Sequence, residues 1–263
     1  MIEPDIRRKI EDRLRAIERD YDATILFAAE SGSRTWGFPS PDSDYDIRFV
    51  YRHSSDWYLS VVEERDVIEE PIDANGLDVG GWDVRKAVRL FLRSNPALYE
   101  WLVSPIVYRE DGGFRSRCRD LSERYYSRRA MAMHCRNATL NQLKHYMKNK
   151  TEVRLKKYFY AIRPLCAILW MREREGSKSL LPPMNLPQLL SDIEIPNAVK
   201  TQLDELFIEK DRTSELGTSA PIEVLDNWIA DTLADLEDYC GQQQKDGSPL
   251  AVANAFFREC VGL

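Results

Sequence analysis

The chain has few of the residues that would announce a disulfide scaffold, a zinc site or a membrane anchor. Its five cysteines in 263 residues, Cys118, Cys135, Cys166, Cys240 and Cys260, are scattered, odd in number and free of any C-x-x-C pair. That pattern excludes a disulfide framework or zinc ribbon and fits buried thiols in a reducing compartment. The three histidines, His53, His134 and His145, lack metal-ligand spacing and read as structural or surface residues. Ser31 and Ser33 have no visible His and Asp partners of the hydrolase type. No apolar run approaches bilayer length, the first residues are too polar for a signal peptide, and repeats and low-complexity tracts are missing. A cytoplasmic protein with no membrane partner is expected. The net charge of −6 argues against a surface coated in nucleic acid but leaves room for a local basic groove.

What is present lies early in the chain. Ile6, Ile10, Leu14 and Ile17 fall at helical spacing between Asp5 and Tyr21, which predicts an amphipathic helix. Ala23 to Ala29 is a continuous apolar run and predicts a buried strand, ended by Gly32 and Ser33. A loop by composition, Pro39-Ser40-Pro41-Asp42-Ser43, leads to a second predicted strand from Asp44 to Tyr51. On a strand, residues i and i+2 share a face, so Asp44 and Asp46 project together, about 7 Å apart at the backbone. Converging carboxylates repel unless a cation sits between them. Mg²⁺ takes such oxygens and bridges to substrate phosphates. The Gly32-Ser33 turn offers N–H groups and a hydroxyl suited to a phosphate oxygen. A Gly-Ser turn alone is usually just a turn, and a lone D-x-D is often a solvated face. Their combination in this order is far more specific.

Two metal ions would call for a third carboxylate. Gly76 to Trp82 predicts a third strand carrying Asp78 between apolar neighbours. Asp83 follows at the start of a helical pattern through Val84, Ala87, Val88 and Phe91, where an N-cap is the competing reading. Asp78 is the preferred ligand, with Asp83 as the fallback. Asn95-Pro96 ends that helix and opens another, to Val103; the stretch from Arg52 to Arg65 reads as a polar loop.

From about Ser116 strand signals nearly vanish, which predicts a catalytic domain at 1–115 and a helical domain at 116–263. Residues 124–174 hold thirteen Lys or Arg against Glu152 and Glu173, interleaved with tyrosines; residues 185–240 hold thirteen Asp or Glu against Lys200, Lys210 and Arg212. Such an asymmetry outweighs the mild net charge when partners are considered. Lys156, Lys157 and Arg163 fall on one helical stretch and could close over a triphosphate; a solvated basic face is the equal alternative. Arg34 reads either as a bidentate phosphate ligand or as a surface arginine. Tyr158, Phe159 and Trp170 are assigned to the core in preference to base stacking.

The run Ser31-Gly32-Ser33-Arg34-Thr35-Trp36-Gly37 with Ser43-Asp44-Tyr45-Asp46-Ile47-Arg48 resembles the signature of the DNA polymerase β nucleotidyltransferase superfamily. With Gly81-Trp82-Asp83-Val84-Arg85-Lys86, Asn95-Pro96, Glu100-Trp101-Leu102 and Ser104-Pro105, it is similar to that superfamily's RNA-repair-associated bacterial and phage branch. Looser likeness continues through Lys156-Lys157-Tyr158 and Arg163-Pro164-Leu165, to about residue 175. The resemblance implies an α+β fold: a mixed sheet with flanking helices, then an all-helical domain. It implies transfer of an NMP from an NTP with two Mg²⁺ ions, Mn²⁺ being a substitute, and release of pyrophosphate. Asp44 and Asp46 would bind both metals, the third carboxylate would support the catalytic one and serve as base, and Gly32 and Ser33 would hold the triphosphate. An RNA 3′ end is the expected acceptor. A protein or small-molecule hydroxyl, or an inactive nucleotide- or RNA-binding module, are the alternatives.

Overall fold

The apolar stripe of the first helix decides where the sheet is built. In the computed structural model, which describes residues 2–147, 151–176, 181–212, 217–241 and 249–263, α1 spans Pro4–Asp20 and buries Ile10, Leu14 and Ile17. These side chains cover one face of a five-stranded sheet and pack with Ile47, Phe49, Tyr51, Leu77 and Val79. The strands are β1 (Thr24–Glu30), β2 (Tyr45–Arg52), β3 (Val67–Glu69), β4 (Leu77–Asp83) and β5 (Val107–Glu110). Their order is β3-β4-β2-β1-β5; β2 and β4 run parallel and the other neighbours antiparallel. The mixed sheet agrees with the fold expected from the sequence. The first three predicted strands each begin one residue later than expected, and β3 and β5 went unpredicted. Both are short edge strands, too brief for alternation to show.

Between β1 and β2 lies a short helix, α2 (Gly32–Trp36). After β4 come α3 (Val84–Leu92), capped by Asp83, and α4 (Pro96–Val103), capped by Asn95, whose side chain accepts from the N–H groups of Ala97 and Leu98. After β5 comes α5 (Phe114–Tyr125). Among the described residues that follow, the remaining elements are helical apart from a two-residue ribbon of β6 (Val153–Arg154) and β7 (Thr218–Ser219). The helices are α6 (Arg128–Gln142), α7 (Lys156–Glu173), α8 (Leu186–Asp192), α9 (Asn197–Arg212), α10 (Glu223–Asp235), α11 (Glu237–Gly241) and α12 (Leu250–Cys260). Among the described residues no helix is long and apolar enough to cross a membrane.

Two units emerge. One comprises Met1–Gly32, Asp44–Tyr125 and Gly247–Leu263; the other comprises Ser33–Ser43 and Tyr126–Asp246. In the first, α12 lays Phe257 edge-on to Tyr58 at 5.3 Å, and Arg117 pairs with Glu259. In the second, α7 is buried on nearly all sides, from Tyr158 to Met171, as expected of a central helix. Tyr158 and Phe159 are fully buried and Trp170 nearly so, in line with their assignment to the core. Segment 33–43 joins this unit through its aromatics. Phe38 stacks on Phe159 at 4.9 Å, and Trp36 meets Tyr160 edge-on at 5.3 Å.

Close approach inside the sheet explains one glycine. Gly81 is the register partner of Phe49 on the parallel strand, and a Cβ there would lie 2.2 Å from the Phe49 ring. Replacing Gly81 with Ala therefore forces the ring or a strand to shift. We expect Gly81→Ala to destabilise the protein by about 1–3 kcal/mol in urea unfolding; an unchanged midpoint would mean that the strands part freely at this point.

Candidate active site

The first unit builds its polar cluster from the ends of three elements. β1 ends on Glu30, which is fully buried. Its carboxylate accepts the backbone N–H of Asp46 at 3.1 Å and the hydroxyl of Tyr108 at 2.5 Å. The Ser31 N–H donates to the Asp46 carbonyl at 2.8 Å, and the buried Ser31 hydroxyl donates to Glu100 at 2.8 Å. A buried carboxylate is costly unless its oxygens are hydrogen-bonded, and these bonds spend Glu30 and Glu100 on fixing the backbone around Asp46. Neither residue was singled out from sequence as a site residue; an acid closing an apolar strand was the available signal for Glu30.

Gly32 follows with a positive φ of 61°. A Cβ at this position would stand 1.9 Å from Asp46 Oδ2. Both the backbone conformation and the approach of the carboxylate therefore require glycine. The turn and the D-x-D motif, separated in sequence, meet here.

Asp46 and Asp78 are register partners on the parallel strands β2 and β4, so their side chains leave the same face. Arg48, two residues beyond Asp46, donates to Asp46 at 3.0 Å and to Asp78 at 2.7 Å. Asp44 lies just before β2, exposed, with its Oδ1 3.4 Å from the Cβ position of Gly76. Burial, with the neighbouring charges of Asp78 and Asp44, pushes the Asp46 carboxyl up to about 6 against the opposing pull of Arg48.

Asp83 has the opposite strand parity and is fully buried. It accepts from the Tyr58 hydroxyl at 2.7 Å and from the Arg85 N–H at 2.7 Å as the N-cap of α3. Burial raises its carboxyl despite these donors. The fallback ligand is thus engaged as a helix cap on the other side of the sheet.

Among the described residues no three His, Cys, Asp or Glu side chains form a ready metal cage. Mg²⁺ seldom needs one, since it is commonly held by one or two carboxylates together with water and substrate phosphates. The hard oxygen donors of Asp46 and Asp78, with Asp44 at the rim, fit that ion.

The other predicted contacts belong to the second unit. Arg34 donates to the Ser43 carbonyl at 2.6 Å, tying the two ends of the 33–43 segment, and the Ser33 carbonyl accepts from Phe38 N–H at 3.1 Å. The Arg163 guanidinium lies 4.1 Å from the centre of the Trp36 ring, so α7 brings a cation against the segment that follows the glycine turn. The Lys157 ammonium sits 3.7 Å from the Tyr146 ring centre and 5.2 Å from that of Tyr160. Burial and the charges of Lys156 and Arg154 lower its basicity. Lys156 is half-buried on the first turn of the same helix.

The raised Asp46 carboxyl sets a pH dependence. The folded state holds its proton more tightly than the unfolded chain, so this group favours folding below its ordinary range, and that contribution is lost as pH rises through about 6. In chelator, Asp46→Asn is expected to raise Tm by a few degrees at about pH 8, with the gain disappearing near about pH 4. A gain independent of pH, or a loss at about pH 8, would contradict this origin.

Comparison with known proteins places most of the chain in a family. A family model described as "RNA repair pathway DNA polymerase beta family" matches residues 6–259. The uncharacterized protein YcgL of Bacillus subtilis (strain 168) is 42% identical over 224 residues, which covers 85% of this chain and 84% of that protein. A crystal structure of a nucleotidyltransferase-like protein from Exiguobacterium sibiricum 255-15 aligns over 96% of this chain and 74% of its own, at 11% identity and a TM-score of 0.30. That structural likeness is too slight to bear on the assignment, which rests on the family match and the Bacillus relative. With a family model spanning nearly its whole length, the chain belongs to the RNA repair pathway DNA polymerase β family.

Proposed function

We propose that the protein is a metal-dependent nucleotidyltransferase that moves an NMP from an NTP to the 3′ hydroxyl of an RNA. The observation that carries this reading is the register pairing of Asp46 with Asp78 beside Gly32, where two carboxylates share one face next to a backbone bend. Asp44, Asp46 and Asp78 would hold two Mg²⁺ ions. When bound, these ions supply charge neutralisation and activation of the acceptor hydroxyl. The Gly32 N–H and the Ser33 hydroxyl bind the triphosphate oxygens, and Arg34 adds a cationic donor. The acceptor oxygen forms its bond to the α-phosphorus as the bond to the pyrophosphate oxygen breaks, and the acceptor proton passes to Asp78. Glu30 and Tyr108 hold the Asp46 backbone still during that exchange. Positioning and charge neutralisation then account for most of the acceleration.

The RNA acceptor is supported by family membership and by the cations of α6 and α7. Lys156, Lys157 and Arg163 would track the phosphates of the incoming nucleotide or of the RNA end. Incubation with each α-labelled NTP, RNA and Mg²⁺ tests the assignment. Label is expected on the RNA 3′ end, and Asp46→Asn or Asp78→Asn is expected to reduce incorporation by roughly 10²-fold or more while preserving the fold. Label on protein alone would replace the RNA acceptor, and undiminished incorporation in both variants would remove these carboxylates from the chemistry.

A further inference from the structure

A single guanidinium serves both carboxylates of the β2–β4 pair. Arg48 Nη2 donates to Asp46 Oδ1 at 3.0 Å and to Asp78 Oδ2 at 2.7 Å. Its Nη1 is anchored separately, to the Asp78 carbonyl at 2.8 Å and to the Ile47 carbonyl at 3.2 Å. Strand geometry puts the arginine there: Arg48 shares a face with Asp46, and Asp78 is the register partner of Asp46. Gly80 is the register partner of Arg48, and a Cβ there would meet Nη1 in ordinary van der Waals contact at 3.7 Å. All three side chains are about a quarter exposed, at 21% for Arg48, 25% for Asp46 and 31% for Asp78, so solvent weakens the pairing without dissolving it.

A divalent ion shared by Asp46 and Asp78 would draw on the same two carboxylates, of which the guanidinium holds Asp46 Oδ1 and Asp78 Oδ2. The Nη2 hydrogens are directed at those oxygens, and a guanidinium cannot stay in contact with a dication. The two cations therefore compete for one position.

We propose that Arg48 is a resident counter-cation which a divalent ion must displace. The exchange keeps the carboxylate pair assembled before loading and makes nucleotide-free metal binding weak. A triphosphate arriving with the metal offers the displaced guanidinium new anionic oxygens, to which arginine binds well. Metal and NTP then load together. This role rests on the metal-dependent reading above and deepens it; Arg48 is a positioning residue of that site.

Mn²⁺ binding, followed by the EPR signal of the free ion, separates the two ideas. It is measured with and without a non-hydrolysable NTP analogue on the wild type, Arg48→Gln, Arg48→Lys and the double variant Arg48→Gln with Asp46→Asn. Without nucleotide, Arg48→Gln is expected to bind Mn²⁺ roughly tenfold or more tightly than the wild type, and the added Asp46→Asn change to cancel that gain. Arg48→Lys, whose shorter cation cannot span both carboxylates, is expected to lie between; if Arg48→Gln does not fold, this variant decides in the same sense. Nucleotide-free affinity no higher than wild type in the folded variants, with Asp46-dependent binding intact when nucleotide is present, overturns the exchange and leaves the metal reading standing. If no protein shows Asp46-dependent Mn²⁺ binding in either condition, both fall.

Discussion

The parallel pairing of β2 with β4 is the constraint from which the site follows. It places Asp46 beside Asp78, residue against residue, and gives two negative charges one outlet. Like charges at this spacing do not coexist without compensation. The fold supplies that compensation in layers. Arg48 spans the pair, Gly32 gives the Asp46 carboxylate room, and buried Glu30 grips the Asp46 backbone from the neighbouring strand. Each device depends on the same register. A slip of one residue would turn Asp78 toward α1 and send Val79 to the polar side.

Much of this was legible in the chain. The helix–strand–turn–strand order could be read from apolar spacing, whereas Asp44, expected on the second strand, lies one residue before it. Asp83 carries the cap that the sequence suggested for it: β4 continues through Asp83, which falls on the buried side and closes the first turn of α3. Arg48, Glu30 and Glu100 were not recognised. Their importance arises from pairing between residues far apart in sequence, such as Asp78 with Arg48 or Glu100 with Ser31, which no local pattern encodes. β3 and β5 escaped for a related reason, since three or four residues at a sheet edge are held by partners more than by their own propensity.

The helical unit shows how charge asymmetry in sequence is partly absorbed on folding. Arg172 meets Asp235 at 2.5 Å, Arg136 meets Glu237 at 3.6 Å, and Tyr158 donates to Asp226 at 3.0 Å. The acidic stretch therefore answers some of the basic one within this unit. The exposed ion pairs contribute little stability, yet they moderate the field of the basic helices. Segment 33–43, which follows the glycine bend, is fastened here by Trp36 and Phe38, and Gly37 approaches Asn185 so closely that a Cβ would lie 2.5 Å from its amide nitrogen.

We propose that the Asp46–Asp78 pair holds a divalent cation against a triphosphate. Anomalous diffraction from crystals grown with Mn²⁺ and a non-hydrolysable NTP analogue tests it most directly. A manganese peak in contact with both carboxylates is expected, with the triphosphate reaching the Gly32 bend. A bound nucleotide whose manganese touches neither Asp46 nor Asp78 would contradict it.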